Sequence, residues 1–252
     1  MQFAGQTVVV TAAACEAGEA IVSAFGAEGA RVVAADAAFV GLSPRGQSGL
    51  QLAHNVASEQ SWQDLVQVVV ERFARLDVLV NGTGCAVAAP LVDLSPEAWR
   101  WAFDQAATGV FLGLKHVAPV MRRQGHGAVV NVSQVAALVG STQGACAAAA
   151  QGAVLGLTRA AAVELAPWGL RVNAVTPGIV ASQKWTRETW WPAHVARHGG
   201  VGRAWRALAA RTPTGRLVEP REVAEAVVFL ASARAAGAVG ANLVVDGGFT
   251  AC

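Results

Sequence analysis

The chain has 252 residues, 54% of them hydrophobic, and a formal charge of +2. That length supports one domain with a sizeable core, and so small a charge does not imply nucleic acid, so no nucleic-acid partner is expected. No uninterrupted apolar run reaches the ~18 residues of a membrane span.

From the N-terminus, MQFAGQTVVVT enters a strand directly, without the basic segment, apolar core and cleavage site of a secretory signal, so a cytoplasmic protein is expected. Short β-branched runs then alternate with longer amphipathic stretches. Strands are predicted at 7–11, 31–35, weakly at 52–56, and at 78–81, 128–133, 170–175 and 242–245. The alternation predicts an α/β fold: a single-domain, doubly wound, Rossmann-like parallel sheet of about seven strands with helices on both faces. Between Asp36 and Leu50, AAFVGLSPRGQSG carries Gly, Pro and Ser where a crossover helix belongs, so that helix is expected to be short or absent. From 182 to 211 the pattern breaks into a Trp-rich, basic insertion. No internal repeat marks a second domain, and residues 1–252 are expected to fold as one. The cysteines Cys15, Cys85, Cys146 and Cys252 lie far apart without a CxxC pair, which argues against a metal site and a disulfide framework.

In order along the chain, VVVTAAACEAGEAIV, LVNGTG, TGVFLGLKHVAPVM, VVNVSQVAALVG, GAVLGLTRAAAVELAPWGLRVNAVTPGIV and VVDGG resemble the short-chain dehydrogenase/reductase family over nearly the whole length. The resemblance implies a strand running into TGxxxGxG, where glycines admit a dinucleotide pyrophosphate to a helix N-terminus. Here that loop reads Thr11, Ala12, Ala13, Ala14, Cys15, Glu16, Ala17, Gly18, and only its last glycine is present. Glu16 brings a carboxylate towards the phosphate position. Two unit charges about 4 Å apart at an effective dielectric near 20 repel by about 4 kcal/mol, roughly a thousandfold in affinity, unless the side chain turns into solvent. Asp36 matches the family's ribose-binding acid, although an Asp after a strand is more often a turn or cap residue. Asn55 stands at an adenine-contacting Asp, and Asn81 and Gly84 fit a structural turn.

The resemblance also implies a catalytic Ser, Tyr and Lys with a supporting Asn. Those slots fall on Gln134, Ala147, Gln151 and Ala106, and the chain contains no tyrosine. A phenol can pass a proton to a carbonyl and an ammonium can stabilise its phenolate, but an alanine does neither. A register shifted by one puts Cys146, Ser133 and Ala150 in the Tyr, Ser and Lys slots. Cys146 is then a candidate nucleophile beside a packing reading, with His54, His116, His126, His194 or His198 to activate it through space.

LGLKHVAPVM, GLTRAAAVELAPWG and VVDGGFTAC match segments that in this family pair subunits. The insertion holds Trp185, Trp190, Trp191 and Trp205 with Lys184, Arg187, Arg197, Arg203, Arg206 and Arg211 against Glu188. It is either a binding lid, its cations suited to coenzyme A phosphates, or a lid packed on its own core. The expectation is a non-catalytic subunit that binds no cofactor itself. Its partner would be an active homologous dehydrogenase subunit in a hetero-oligomer, a tetramer by the resemblance. That partner would carry NAD and oxidise a 3-hydroxyacyl-CoA such as the hydroxybenzylsuccinyl-CoA of anaerobic toluene degradation. Two alternatives stay open: a cofactor-independent lyase or cyclase reusing the cleft, and an NAD(P)-dependent oxidoreductase with an unusual acid/base.

Overall fold

In this computed structural model, which describes residues 1–45, 49–84, 87–188 and 190–251, eight strands share one sheet. They are β1 (Thr7–Thr11), β2 (Arg31–Asp36), β3 (Leu42–Arg45), β4 (Gly49–Ala53), β5 (Val78–Gly82), β6 (Gly127–Val132), β7 (Leu170–Pro177) and β8 (Asn242–Val245). The spatial order is β3-β4-β2-β1-β5-β6-β7-β8, parallel throughout except for the antiparallel β3–β4 pair. The helices are α1 (Glu16–Ala27), α2 (Glu59–Phe73), α3 (Pro96–Phe103), α4 (Gly109–Gln124), α5 (Ala145–Leu165), α6 (Trp191–His198), α7 (Val201–Ala209) and α8 (Pro220–Ala231).

The central strands read as unbroken hydrophobic runs because they have no solvent face. In β1, Val8 and Val10 join the core beneath α1 and α8, whereas Val9 joins the core beneath α2, α4 and α5. Each such valine is fully buried, which contributes about 1.5–2 kcal/mol relative to exposure. A buried polar chain ties the second layer to the sheet: Asn81 Nδ2 donates to Asn131 Oδ1 at 2.8 Å, and Asn131 Nδ2 donates to Thr158 Oγ1 of α5 at 2.9 Å. On the other face, the Arg171 guanidinium of β7 caps α8, donating to the carbonyls of Leu230, Ala231, Ser232 and Ala235.

Among the described residues no helix joins β2 to β4, in line with the short or absent crossover expected there; Leu42–Arg45 forms an antiparallel edge strand, where Pro44 is tolerated. The strand expected at 52–56 lies at Gly49–Ala53, because Asn55 and Ser58 already cap turns leading into α2. Finally, the 145–168 segment is helical, long and apolar enough to cross a membrane by composition, but α5 carries much of the core against β7.

Candidate active site

The carboxyl ends of β1, β5, β6 and β7 open on a cleft of about 180 Å³ lined by the 11–18 loop, Thr83, 132–136 and 177–185. At its floor the backbone approaches closely. A Cβ on Gly18 would collide with the Ala12 carbonyl, and one on Gly82 with the Thr11 carbonyl, so both positions require glycine. Ala12 holds the left-handed conformation, with φ at 51°, so the loop keeps a glycine-like path at the cost of strain. Cys15 serves as the N-cap of α1: its sulfur accepts from the Gly18 N–H at 3.4 Å and donates to the Ala12 carbonyl at 3.2 Å.

Glu16 does not turn into solvent. Its carboxylate accepts from Ser182 Oγ at 2.7 Å and from the Gln183 N–H at 2.8 Å, joining the start of α1 to the start of the 182–211 segment. Burial opposes its ionisation. The Ser182 hydroxyl, its own and the Gln183 N–H, and the Lys184 charge outweigh that burial and hold the carboxyl below the usual range. Asp36 accepts from the Ala14 N–H at 3.0 Å and the Ala38 N–H at 2.8 Å, which is the cap-and-turn role. Asn55 caps its own turn through the Ala57 N–H, and a Cβ on Gly84 would meet nothing, so that glycine is not required by packing.

On α5, Ala147 packs against the core cluster that contains Ala106, and Gln151 is fully buried one turn later. Thr83 Oγ1 shares its proton between the Val132 carbonyl at 2.5 Å and Gln151 Oε1 at 3.2 Å. Gln134 follows β6 on the cleft wall, and Ser133 donates to the Gln151 carbonyl at 3.4 Å. Ala106 sits in a π-helical turn, Asp104–Thr108, between α3 and α4. Ala150 is buried in the same core.

Cys146 is 1% exposed, its sulfur 3.9 Å from the Ala98 carbonyl, and burial pushes the thiol up, away from a reactive thiolate. The histidines are engaged elsewhere. His54 meets Ser61, His116 meets Glu59 and His126 meets Asp77, while His194 lies 3.1 Å from the Ala204 carbonyl and stacks on His198. Cys85 and Cys252 lie outside the described residues.

The 182–211 segment folds as a 3-10 turn followed by α6 and α7 around its own small core. Trp191 is buried there and stacks on Trp205 at 4.6 Å and Trp190 at 5.8 Å, while Trp185 donates to the Val180 carbonyl. The tryptophans therefore pack on one another. Arg187, Arg197, Arg203, Arg206 and Arg211 remain exposed, Arg203 bonding the Gly199 carbonyl and Arg211 lying over Phe249; Lys184 lies over the Trp185 ring.

Against known proteins, the family model described as enoyl-(acyl carrier protein) reductase matches residues 13–250. The chain is 40% identical to cis-4-hydroxycyclohexanecarboxylate dehydrogenase of Sinomonas cyclohexanicum, over 99% of this chain and 98% of that one. It belongs to the short-chain dehydrogenase/reductase family. Other members similar to it are cyclopentanol dehydrogenase of Comamonas testosteroni (39% identity, 78% of this chain, 75% of that one) and D-threitol dehydrogenase of Mycolicibacterium smegmatis (36%, 98% and 93%). Among solved structures, a short-chain dehydrogenase/reductase of Burkholderia xenovorans superposes with a TM-score of 0.87 at 32% identity, covering 100% of this chain and 98% of that one. In this short-chain dehydrogenase/reductase, Ala147 and Gln151 lie one turn apart on α5, with Gln151 fully buried. Sequence reasoning missed Thr83 as the partner of Gln151, and Ser182 and Gln183 as partners of Glu16. The Glu16 contacts span 166 residues, and no local pattern signals them.

Proposed function

We propose that this chain is a non-catalytic short-chain dehydrogenase/reductase subunit that assembles with an active, NAD-dependent homologue. The observation that carries this reading is α5, where an alanine and a buried carboxamide stand at the positions the family resemblance gives to the acid/base pair, in a chain without tyrosine. The dinucleotide does not suit the residues present either. The Glu16 carboxylate holds the phosphate end of the cleft, and the Ala12 methyl stands where the family has a glycine.

Assembly is supported by apolar side chains left outside on the helices expected to pair subunits. Phe111 of α4 is 49% exposed and Val163 of α5 is 77% exposed. The partner holds NAD and oxidises a secondary alcohol to the ketone in the cytoplasm. Relatives named for cyclohexanecarboxylate and cyclopentanol alcohols support that reaction type. The narrower substrate class is a 3-hydroxyacyl-CoA, such as hydroxybenzylsuccinyl-CoA, whose phosphates the exposed lid arginines suit. The lyase or cyclase alternative gains no support, since the cleft's acid, Glu16, is committed to the lid.

Native mass spectrometry of the complex purified from its source tests the reading. A hetero-oligomer containing a tyrosine-bearing homologue is expected, with alcohol oxidation confined to that complex. A homo-oligomer that turns over NAD by itself overturns it.

A further inference from the structure

We propose that Glu16 is the built-in occupant of an anion site, and that by filling it the carboxylate latches the lid shut over the cleft. This rests on the reading that the chain leaves the dinucleotide to a partner, and it supplies the means of exclusion.

The site is assembled from both sides of the cleft mouth. The lid contributes the Ser182 hydroxyl and the Gln183 N–H, and Lys184 adds its charge. The start of α1 contributes the Glu16 N–H and the positive end of a 12-residue helix. Hydroxyl, converging amides and a cation make a donor set for a phosphate-class oxyanion. Here the anion is a side chain of the protein, at 2.7 and 2.8 Å from its two lid donors. The same contacts set the first lid turn, because Ser182 Oγ also accepts from the Lys184 N–H at 3.1 Å as the N-cap of Gln183–Arg187. Behind that turn, Trp185 donates to the Val180 carbonyl at 2.7 Å and links the latch to the tryptophan core. An external diphosphate therefore competes with a tethered carboxylate already at high local concentration. It must also break the contacts that order the lid.

Substitution with amide exchange as readout tests this on the full-length protein in its native assembly. In Glu16→Gly, backbone amides of residues 183–188 exchange about ten- to hundredfold faster, the range for losing hydrogen bonds to a charged acceptor. Added inorganic pyrophosphate at millimolar concentration restores protection in that variant and changes nothing in the wild type. Ser182→Ala keeps the tethered anion, so its exchange rises without any response to pyrophosphate. Unchanged exchange in Glu16→Gly overturns the latch. Faster exchange that pyrophosphate leaves unaltered, or wild-type protein that responds to pyrophosphate equally, overturns the anion site. Global unfolding of Glu16→Gly would show as lost protection in β1 and β5, and Glu16→Ala then carries the same comparison. Failure of the subunit reading is seen instead in the composition of the native complex, which these exchange data do not touch.

Discussion

His54 makes stability depend on mild acid in a way its environment fixes. It follows β4 at the C-terminal edge of the sheet, is 3% exposed, and stacks edge-on against Trp62 with ring centroids 4.5 Å apart. Nδ1 lies 2.9 Å from Ser61 Oγ, and Nε2 has no hydrogen-bond partner. Burial pushes its pKa down from 6.5 to about 4, offset only in part by Ser61 and the Asp36 charge. Below pH 6.5 the unfolded chain takes up a proton that the folded one refuses, so stability is whole above that pH and falls as pH drops towards 4. At about 1.4 kcal/mol per unit, the loss reaches about 3 kcal/mol and then levels off. Urea unfolding of wild type and His54→Phe at intervals from pH 8 to pH 4 measures it, since carboxylates common to both cancel in the difference. The variant's stability should gain on the wild type by about 3 kcal/mol across that window. Parallel pH curves would refute the argument.

Two shorter predictions concern the cleft. Ala12→Gly relieves a left-handed alanine and should stabilise the fold by about 0.5–1 kcal/mol after the extra freedom of the unfolded chain is counted, read as a raised Tm. A drop in Tm would show that the methyl contributes packing that outweighs its strain. Cys146 should resist alkylation in native protein and react only on unfolding, followed by mass spectrometry of its own peptide; fast native modification would restore the nucleophile reading.

The parts of the fold that were legible are those in which a strand's own residues decide its burial. β1 and β5 start where their sequence runs begin, because Val8 to Val10 and Val78 to Val80 have apolar layers on both sides. β3 was not legible, since LSPR has no alternation and is a strand only through its pairing with β4. The absence of tyrosine is read directly from the sequence. The contacts around Gln151 and Glu16 are not, because Thr83 reaches Gln151 across 68 residues and Ser182 reaches Glu16 across 166. Likewise the four lid tryptophans gave equal hints of a ligand and of a core, and only α6 packing on α7 decides for the core.

Gln151 shows why a chain without the tyrosine would also be without the lysine. The position is fully buried between Thr83, Ser133 and the β6 terminus, so a charge there must have a partner. The family resemblance implies a phenolate in that role, and the Ala147 methyl cannot supply one. A carboxamide is neutral and is served by the Thr83 hydroxyl, so it fills the space without an unpaired charge. Gln151→Lys should therefore destabilise this chain by on the order of 3 kcal/mol at pH 7. Because burial depresses the ammonium's pKa below its unfolded value, the deficit should shrink as pH rises towards about 10 and be largely gone above it, where both states are neutral. Chemical denaturation at pH 7 and pH 10.5 reads both effects, and adding Ala147→Tyr should recover part of the loss by giving the ammonium a phenol to bond. A lysine tolerated at no cost, or a deficit constant across that range, would mean that the slot is wetter than its burial implies, and that the two losses arose independently.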